Sequence, residues 1–534
     1  MKIMRTLLLG IQVIAGFSCI ATVHAAGQYI VTASGSNNVT ISSSTVQMVN
    51  SGTPVSFTVT ASPGYTRSNT VGGTCPQGDW SGNTYVLSAV TANCSAIFNV
   101  SSGTVRYSAP PGNGTPGHAG TLKDPYQTLW ENFAAARPGD TVYLLAGTYN
   151  QCPYFKGGGV WGNPIIITGD GTAPAKGAAT VGGTTINCTS SVTGAFQLIP
   201  TYVTIRNLTI GPAPSASAGL YASSYGSSTC HHLLVDHVTI HDISGSGFQS
   251  ILCGGLTLTN SLVYNNGLTY TTFCTNGISL AANIDDGTGY YGNQVNGNVS
   301  YGNGNPPNCG TPATGYDSDG NGIIVDYGPG TPCASFGSIP SGFRCATTSR
   351  TRITNNLVYN NQNAGIVSFN GSNTDIVNNT LYHNQTVATR QYSSFAEIEV
   401  TAMNTSSHAT SVNIANNVIV PNSTNAVIMC TYLTKVAIFN NVVSPSNSGS
   451  FSSNSNCVSP TSSGNITSDP AFVSPTTANF QLQASSPARN MASVLNNANV
   501  LLNIDFTGAL RNGNAWDAGA CEYQASPLGA CQGH

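Results

Sequence analysis

The chain is short of charge. Lys, Arg, Asp and Glu make up 7% of its 534 residues, and 16 basic residues against 19 acidic ones leave a net charge of −3. That balance gives no electrostatic footprint for nucleic acid or for an anionic membrane, so neither is expected as a partner. Long apolar runs are missing after the first two dozen residues, so no transmembrane segment is expected. No Cys-x-x-Cys pair occurs, which removes the common zinc clusters. Helical periodicity is also scarce. The best stretch is "YQTLWENFAAARPGD", with Leu129, Phe133 and Ala136 near i, i+4, i+7 spacing and Pro138-Gly139 as a stop.

What remains is rich in Gly, Ser, Thr and Asn, with Val and Ile recurring throughout. That is an all-β composition rather than a disordered one. The first residues, "MKIMRTLLLGIQVIAGFSCIATVHAA", place Lys2 and Arg5 before an apolar core and small residues. Residues 1–25 therefore read as a secretory signal. Cys19 lies inside it, and fourteen cysteines remain beyond it. An even number in an exported chain implies disulfides. Sequence neighbours make the plausible pairs: Cys75–Cys94, Cys152–Cys188, Cys230–Cys253, Cys274–Cys309, Cys333–Cys345, Cys430–Cys457 and Cys521–Cys531. The expected location is extracellular or at the cell surface, with the periplasm as the alternative, and the expected state is a monomer.

Residues 27–100 alternate as short strands: "YIVTAS", "VSFTVTAS", "TYVLSAV" and "CSAIFNV". The stretch "VNSGTPVSFTVTASPGY" resembles the small β-repeats of bacterial surface proteins of the internalin B-repeat type. The resemblance covers this segment alone and implies an accessory module.

The middle of the chain repeats. "IRNLTI", "VDHVTI", "LTNSLVY", "VNGNVSY", "TNNLVYN", "VNNTLYH", "ANNVIV" and "FNNVVS" align with one column of Asn207, His237, Asn260, Asn298, Asn356, Asn379, Asn417 and Asn441. Several spacings are 23 or 24 residues, as from 356 to 379 and from 417 to 441. A unit that short cannot bury its own apolar face, but stacked units can. Stacked Asn side chains can bond amide to amide along the column. The helix, the "PGDTVYLLAGTY" start and the Asn column resemble right-handed parallel β-helix proteins of the pectate-lyase-like superfamily. The resemblance covers about residues 104–460. It implies a capping helix, an Asn ladder at one corner and a saccharide groove floored by the first strand of each coil. Residues 461–534 resemble the segment that ends many such bacterial proteins and are expected to close the β-helix.

The expected floor strands are "GLYAS" from Gly219, "GFQSI" from Gly247, "GISLA" from Gly277, "GIIVD" from Gly322, "GIVSF" from Gly365, "EIEVT" from Glu397 and "AVIMC" from Ala426. Their second positions are apolar and point inward. Their odd positions point outward and include Tyr221, Gln249, Ser279, Asp326, Phe369, Glu397, Glu399 and Thr401. Tyr221, Gln249, Phe369 and Glu397 are the candidate substrate contacts, because sugars want polar edges and an aromatic face.

Three chemistries fit these acids. "DSDGNG" opens like a calcium loop, with Asp317, Asp319, Asn321 and Asp326 as candidate ligands. The family resemblance makes calcium-assisted β-elimination of a uronate-containing polysaccharide the first expectation. The base would then come from Arg350 or Lys435, which share a column six residues before their ladder Asn. Glycoside hydrolysis is the second, with Asp326 and Glu399 two coils apart at roughly 10 Å as the catalytic pair. A non-catalytic carbohydrate-binding or adhesion protein is the third.

Overall fold

The computed structural model describes residues 28–61, 65–68, 70–87, 89–101, 103–110, 118–160, 163–170, 183–285, 291–306, 309, 319–326, 344–345, 349–371, 373–387, 396–401, 411–422, 426–430, 436–445, 464–492, 504–511, 515–525 and 531–533. The signal segment 1–25, Asp317, Asp286, Lys435, Cys333 and Cys457 lie outside the described residues.

The described residues from Gln28 to Phe98 form two small four-stranded sheets. Val31, Phe57, Leu87 and Phe98 fill the space between them. A two-residue strand, Thr66–Arg67, pairs with Val100–Ser101, and the chain then runs into Val105–Ser108, the first strand of the main body.

The main body is one parallel system of 29 strands among the described residues. Each coil contributes up to three short strands, and each strand pairs with its counterpart one coil later. Ile366 pairs with Ile398, Ile376 with Ile414 and Leu381 with Ile419. This is a parallel β-helix. Its core is built from columns, because every inward position is stacked on its equivalent. Leu220, Phe248, Ile278, Ile323, Ile366, Ile398 and Ile428 form one such column, each fully buried. Burying a side chain of this size contributes about 1.5–3 kcal/mol. The helix Leu129–Ala135 starts with a capping box between Thr128 and Glu131. Leu129 and Phe133 join the core at the start of the β-helix, where the Phe133 ring stacks on Phe196 at 5.7 Å. No helix of the described residues is long and apolar enough to cross a membrane.

The Asn ladder is real, but its early register differs from expectation. Asn298, Asn356, Asn379, Asn417, Asn441 and Asn465 are joined amide to amide at 2.9–3.1 Å. Upstream the column continues through Ser261, which receives the backbone N–H of Val238 and donates its own to Asn298. Asn207, His237 and Asn260 stand one residue earlier. They adopt left-handed backbone, as do Asn355, Asn378, Asn416 and Asn440. The Asn-Asn pairs thus split two tasks. The first Asn tolerates the left-handed turn, and the second points inward as a rung.

A second ladder lies at another corner. Asn266, Asn303, Asn361 and Asn384 are joined in the same way, at 2.8–3.0 Å. Each rung follows a left-handed residue: Asn265, Gly302, Asn360 and His383. Each of those follows a tyrosine, and the Tyr264, Tyr301 and Tyr359 rings stack at 4.9–5.1 Å.

The β-helix continues beyond residue 460, to Ile466–Thr467. The following segment runs back along the flank. Phe472, Phe480, Leu482, Ala518 and Ala520 pack on Leu357, Tyr359, Tyr382, Val418 and Val420. Gly519 N–H donates to the Asn416 carbonyl at 2.7 Å, and Arg511 pairs with Glu522 at 2.8 Å while also reaching Asn355.

Five of the expected disulfides are formed: Cys75–Cys94, Cys152–Cys188, Cys230–Cys253, Cys274–Cys309 and Cys521–Cys531. Such a set points to an oxidising, extracytoplasmic setting. The Cys333–Cys345 and Cys430–Cys457 pairings each involve a cysteine outside the described residues.

Candidate functional site

The floor strands pair in the expected register across six coils, from Ala218–Ser223 to Ala396–Thr401. The last one slips by one residue. Ala426 pairs with Ala396, and Ile428, not Val427, continues the inward column. Two outward rows result, because side chains alternate faces. One reads Tyr221, Gln249, Ser279, Ile324, Val367, Glu399 and Met429. The other reads Ser223, Ile251, Ala281, Asp326, Phe369 and Thr401.

Tyr221, Gln249, Asp326, Phe369, Glu399 and Thr401 are all partly exposed. Phe369 lies one coil beyond Asp326 in the same row, and Glu399 lies in the coil beyond that. Two coil spacings and a two-residue offset separate the Asp326 and Glu399 Cα atoms by roughly 12 Å. Glu399 accepts the Ala396 N–H at 3.3 Å. Burial raises the Tyr221 phenol above its usual range.

Glu397 does not belong to this face. It is fully buried and stands in the column of Gly219, Gly247, Gly277, Gly322 and Gly365. A Cβ added at Gly365 would meet Leu381 and the Asn384 amide, so this corner position faces inward. Glu397 Oε2 accepts the Asn384 Nδ2 donor at 2.7 Å and closes the second ladder. Burial pushes its carboxyl up to about 8, against the opposing pull of the Asn384 amide and nearby backbone N–H groups. A bound saccharide cannot touch it.

The proposed calcium ligands are separated as well. Asn321 is fully buried and donates its amide to Asn276 at 2.9 Å. Asn276 in turn donates to Asp319 at 3.1 Å. Ile323–Asp326 form the strand, so Asp326 stands at the end opposite Asp319 and Asn321, roughly 10 Å beyond Ile323 at the usual strand rise. Calcium–oxygen distances near 2.3–2.6 Å cannot span that gap. The described members of the set do not come together around one ion. No cluster of three or more His, Cys, Asp or Glu suited to a metal occurs among the described residues.

Arg350 is not placed to act as a base. It is buried on the second sheet, where its Nε donates to Asp375 at 2.8 Å and a second guanidinium nitrogen pairs with the same carboxylate. Its remaining donors reach the Ser411 hydroxyl and carbonyl. A bidentate ion pair of this kind keeps the guanidinium in place and charged. Asp285 is buried in a short antiparallel pair with residues 344–345 and accepts the Ser349 hydroxyl.

One wall element escaped the sequence reading. The segment between Asn266 and Cys274 folds back over the start of the floor strands. Tyr270 OH meets Ser217 Oγ at 2.8 Å, and Phe273 packs edge-on against Tyr270 while staying exposed. The Cys274–Cys309 bridge fastens this segment. Its signal was the aromatic pair in "LTYTTFC", unusual inside a turn-rich insertion.

No family model matches the chain, and no curated protein matches it. Solved structures resemble it remotely. Pectate lyase Pel9A is 16% identical, with 79% of this chain and 96% of that one covered at a TM-score of 0.42. The mannuronan C-5 epimerase AlgE4 A-module of Azotobacter vinelandii is 16% identical over 62% of this chain and 91% of that one, with a TM-score of 0.33. A GH136 lacto-N-biosidase from Eubacterium ramulus is 15% identical over 68% of this chain and 67% of that one, with a TM-score of 0.37. Likenesses this distant say nothing about the reaction. The strand pairings alone define the class, a parallel β-helix protein.

Proposed function

We propose that this protein binds an extracellular polysaccharide along the floor sheet and hydrolyses a glycosidic bond between Asp326 and Glu399. One observation carries the proposal. Among the described residues, these are the only two carboxylates facing outward from the floor strands, and Phe369 lies between their coils. A pyranose stacked on Phe369 would have one carboxyl on the coil before it and one on the coil after it. Coil spacing near 4.8 Å puts each within reach of an atom of that ring. One carboxyl would protonate the leaving oxygen, and the other would draw a proton from water on the opposite face. Inversion needs carboxyls about 6.5–9.5 Å apart, a range that side chains leaning inward from roughly 12 Å of Cα separation can reach.

Calcium-assisted β-elimination takes second place. Arg350 is committed to Asp375, and the ion's expected ligands are split between the strand's two ends. The test is to incubate the mature protein with a panel of neutral and acidic polysaccharides, following reducing ends together with absorbance near ~235 nm, where unsaturated uronates absorb. Reducing ends without absorbance, lost in Asp326→Asn and Glu399→Gln, are expected. Absorbance that grows with reducing ends, and falls on chelation, would replace hydrolysis by elimination. Binding without either signal would leave a carbohydrate-binding or adhesion role.

A further inference from the structure

The outward row that holds Tyr221 does not begin there. Gln197 pairs with Tyr221, and Tyr154 pairs with Gln197, so the row starts two coils earlier and opens with Tyr154, Gln197, Tyr221 and Gln249. All four are partly exposed. Their neighbours in sequence, Phe155, Phe196 and Leu220 among them, point into the core. The row is lengthened by one more ring. Trp130, in the first turn of the helix Leu129–Ala135, stacks on Tyr154 with ring centroids 6.4 Å apart and planes 28° from parallel. It is 60% exposed.

The helix holds that tryptophan in place. The Leu129 N–H donates to Gln151 Oε1 at 3.0 Å, and Gln151 Nε2 donates to the Gln127 carbonyl at 3.2 Å, so the start of the helix is tied to the chain just before Tyr154. Leu129 is fully buried, and Phe133 meets Phe155 edge-on at 5.1 Å. Trp130 cannot turn into the core unless these two side chains leave it. A large aromatic side chain is thus fixed in water, where its apolar area gains from being covered. The lining identifies what covers it. A protein partner wants a continuous apolar centre. Here aromatic rings alternate with amides along one row, one coil of about 4.8 Å at a time. A pyranose offers a flat C–H face to a ring and a rim of hydroxyls to an amide, so a sugar chain matches both.

We infer that Trp130 and Tyr154, continued by Gln197, form an anchoring platform for a polysaccharide at the start of the floor, remote from the site of cleavage. The coil of Tyr154 and the coil of Phe369 are six spacings apart, roughly 29 Å. A chain lying along the floor is held at one end and cut near the other. The substrate is therefore a pyranose polymer long enough to reach both places, and short oligosaccharides miss the platform. The inference rests on reading the floor as a saccharide surface, and its first readout is binding, which does not depend on the reaction.

The test uses the full mature chain with Asp326→Asn, so that no polymer is consumed, in native affinity gels containing hydroxyethyl cellulose, xylan, galactomannan, alginate or polygalacturonate. Retardation by at least one polymer is expected. Trp130→Ala and Tyr154→Ala should each weaken it about tenfold, as loss of an aromatic anchor does. Leu510→Ala, which removes an exposed apolar side chain from the C-terminal segment, should leave it unchanged. Should Tyr154→Ala fail to fold, Gln197→Ala replaces it. With both floor carboxyls intact, Trp130→Ala should raise KM for the retained polymer at unchanged kcat and leave cleavage of its tetrasaccharide unaltered. Retardation by none of the polymers, or retardation equally strong without Trp130 and without Tyr154, would overturn the platform. Binding that is lost in Trp130→Ala while the intact chain releases no product from any polymer would keep the platform and overturn hydrolysis instead.

Discussion

Glu397 and Glu399 stand two residues apart on one strand and lead opposite lives. Simple alternation puts both on the outward face. Glu399 is there, partly exposed in the floor. Glu397 is fully buried and hydrogen-bonded to the last rung of an Asn ladder. The reason is the corner. Alternation holds in the middle of a strand, but beside the corner a Cβ points at the rungs of the second ladder, and five of the equivalents of Glu397 are glycines. A carboxyl at that position works on the fold, whereas one two residues later stands in an outward row. The pair separates the structural interior from the working surface within a single strand.

The largest expected effect tests that separation. Glu399→Gln should lower kcat on the cleaved polysaccharide by about 10²–10⁴-fold, the usual worth of a general acid or base. Its melting temperature should stay within error. Glu397→Gln should retain most of the activity. If the two variants lose activity equally without unfolding, the separation fails.

The interior is tested next. Asn379→Ala removes a rung and leaves backbone and amide partners buried and unpaired, which costs about 1–3 kcal/mol in denaturant unfolding. Asn361→Ala in the second ladder should cost a similar amount. A loss within about 0.5 kcal/mol at both positions, the usual range for a surface change, would show that the ladders do not hold the corners.

The buried carboxyl also makes stability depend on pH. The folded chain keeps Glu397 protonated up to about 8, whereas the ordinary carboxyl value is 4.5. Between those values the folded state binds the extra proton, so the Glu397 contribution is fully present below about 4.5 and is lost as pH rises through 8. Denaturant midpoints measured from pH 5 to 9 should fall in the intact protein and fall less steeply in Glu397→Gln. Identical slopes would remove Glu397 as the source.

Much of the fold was legible in the sequence because its signals are local and repeated. The helix and the inward column from Leu220 to Ile398 follow from spacing, the capping role of the helix follows from the family resemblance, and five plausible pairs of neighbouring cysteines are formed. The ladder register was harder, since Asn serves both as the left-handed turn residue and as the rung. Asn207, His237 and Asn260 looked like rungs for that reason. The second ladder was present as "VYNN", "SYGN", "VYNN" and "LYHN", but the tyrosines drew no attention without the stack they form. Arg350 was misread for a different reason. Its partner Asp375 is one coil away, and no local pattern announces a pairing across coils. Asp326 and Glu399 could be read because alternation holds where they stand, near the middle and end of their strands.

The most direct test of the central claim is the anomeric configuration of the first reducing ends released, followed by NMR during cleavage of a polysaccharide that the protein degrades. Two carboxyls on opposite sides of Phe369, separated widely enough to admit water, predict hydrolysis with inversion at the anomeric carbon. A product of retained configuration, or one carrying an unsaturated terminal uronate, would contradict the assignment of Asp326 and Glu399 as that pair.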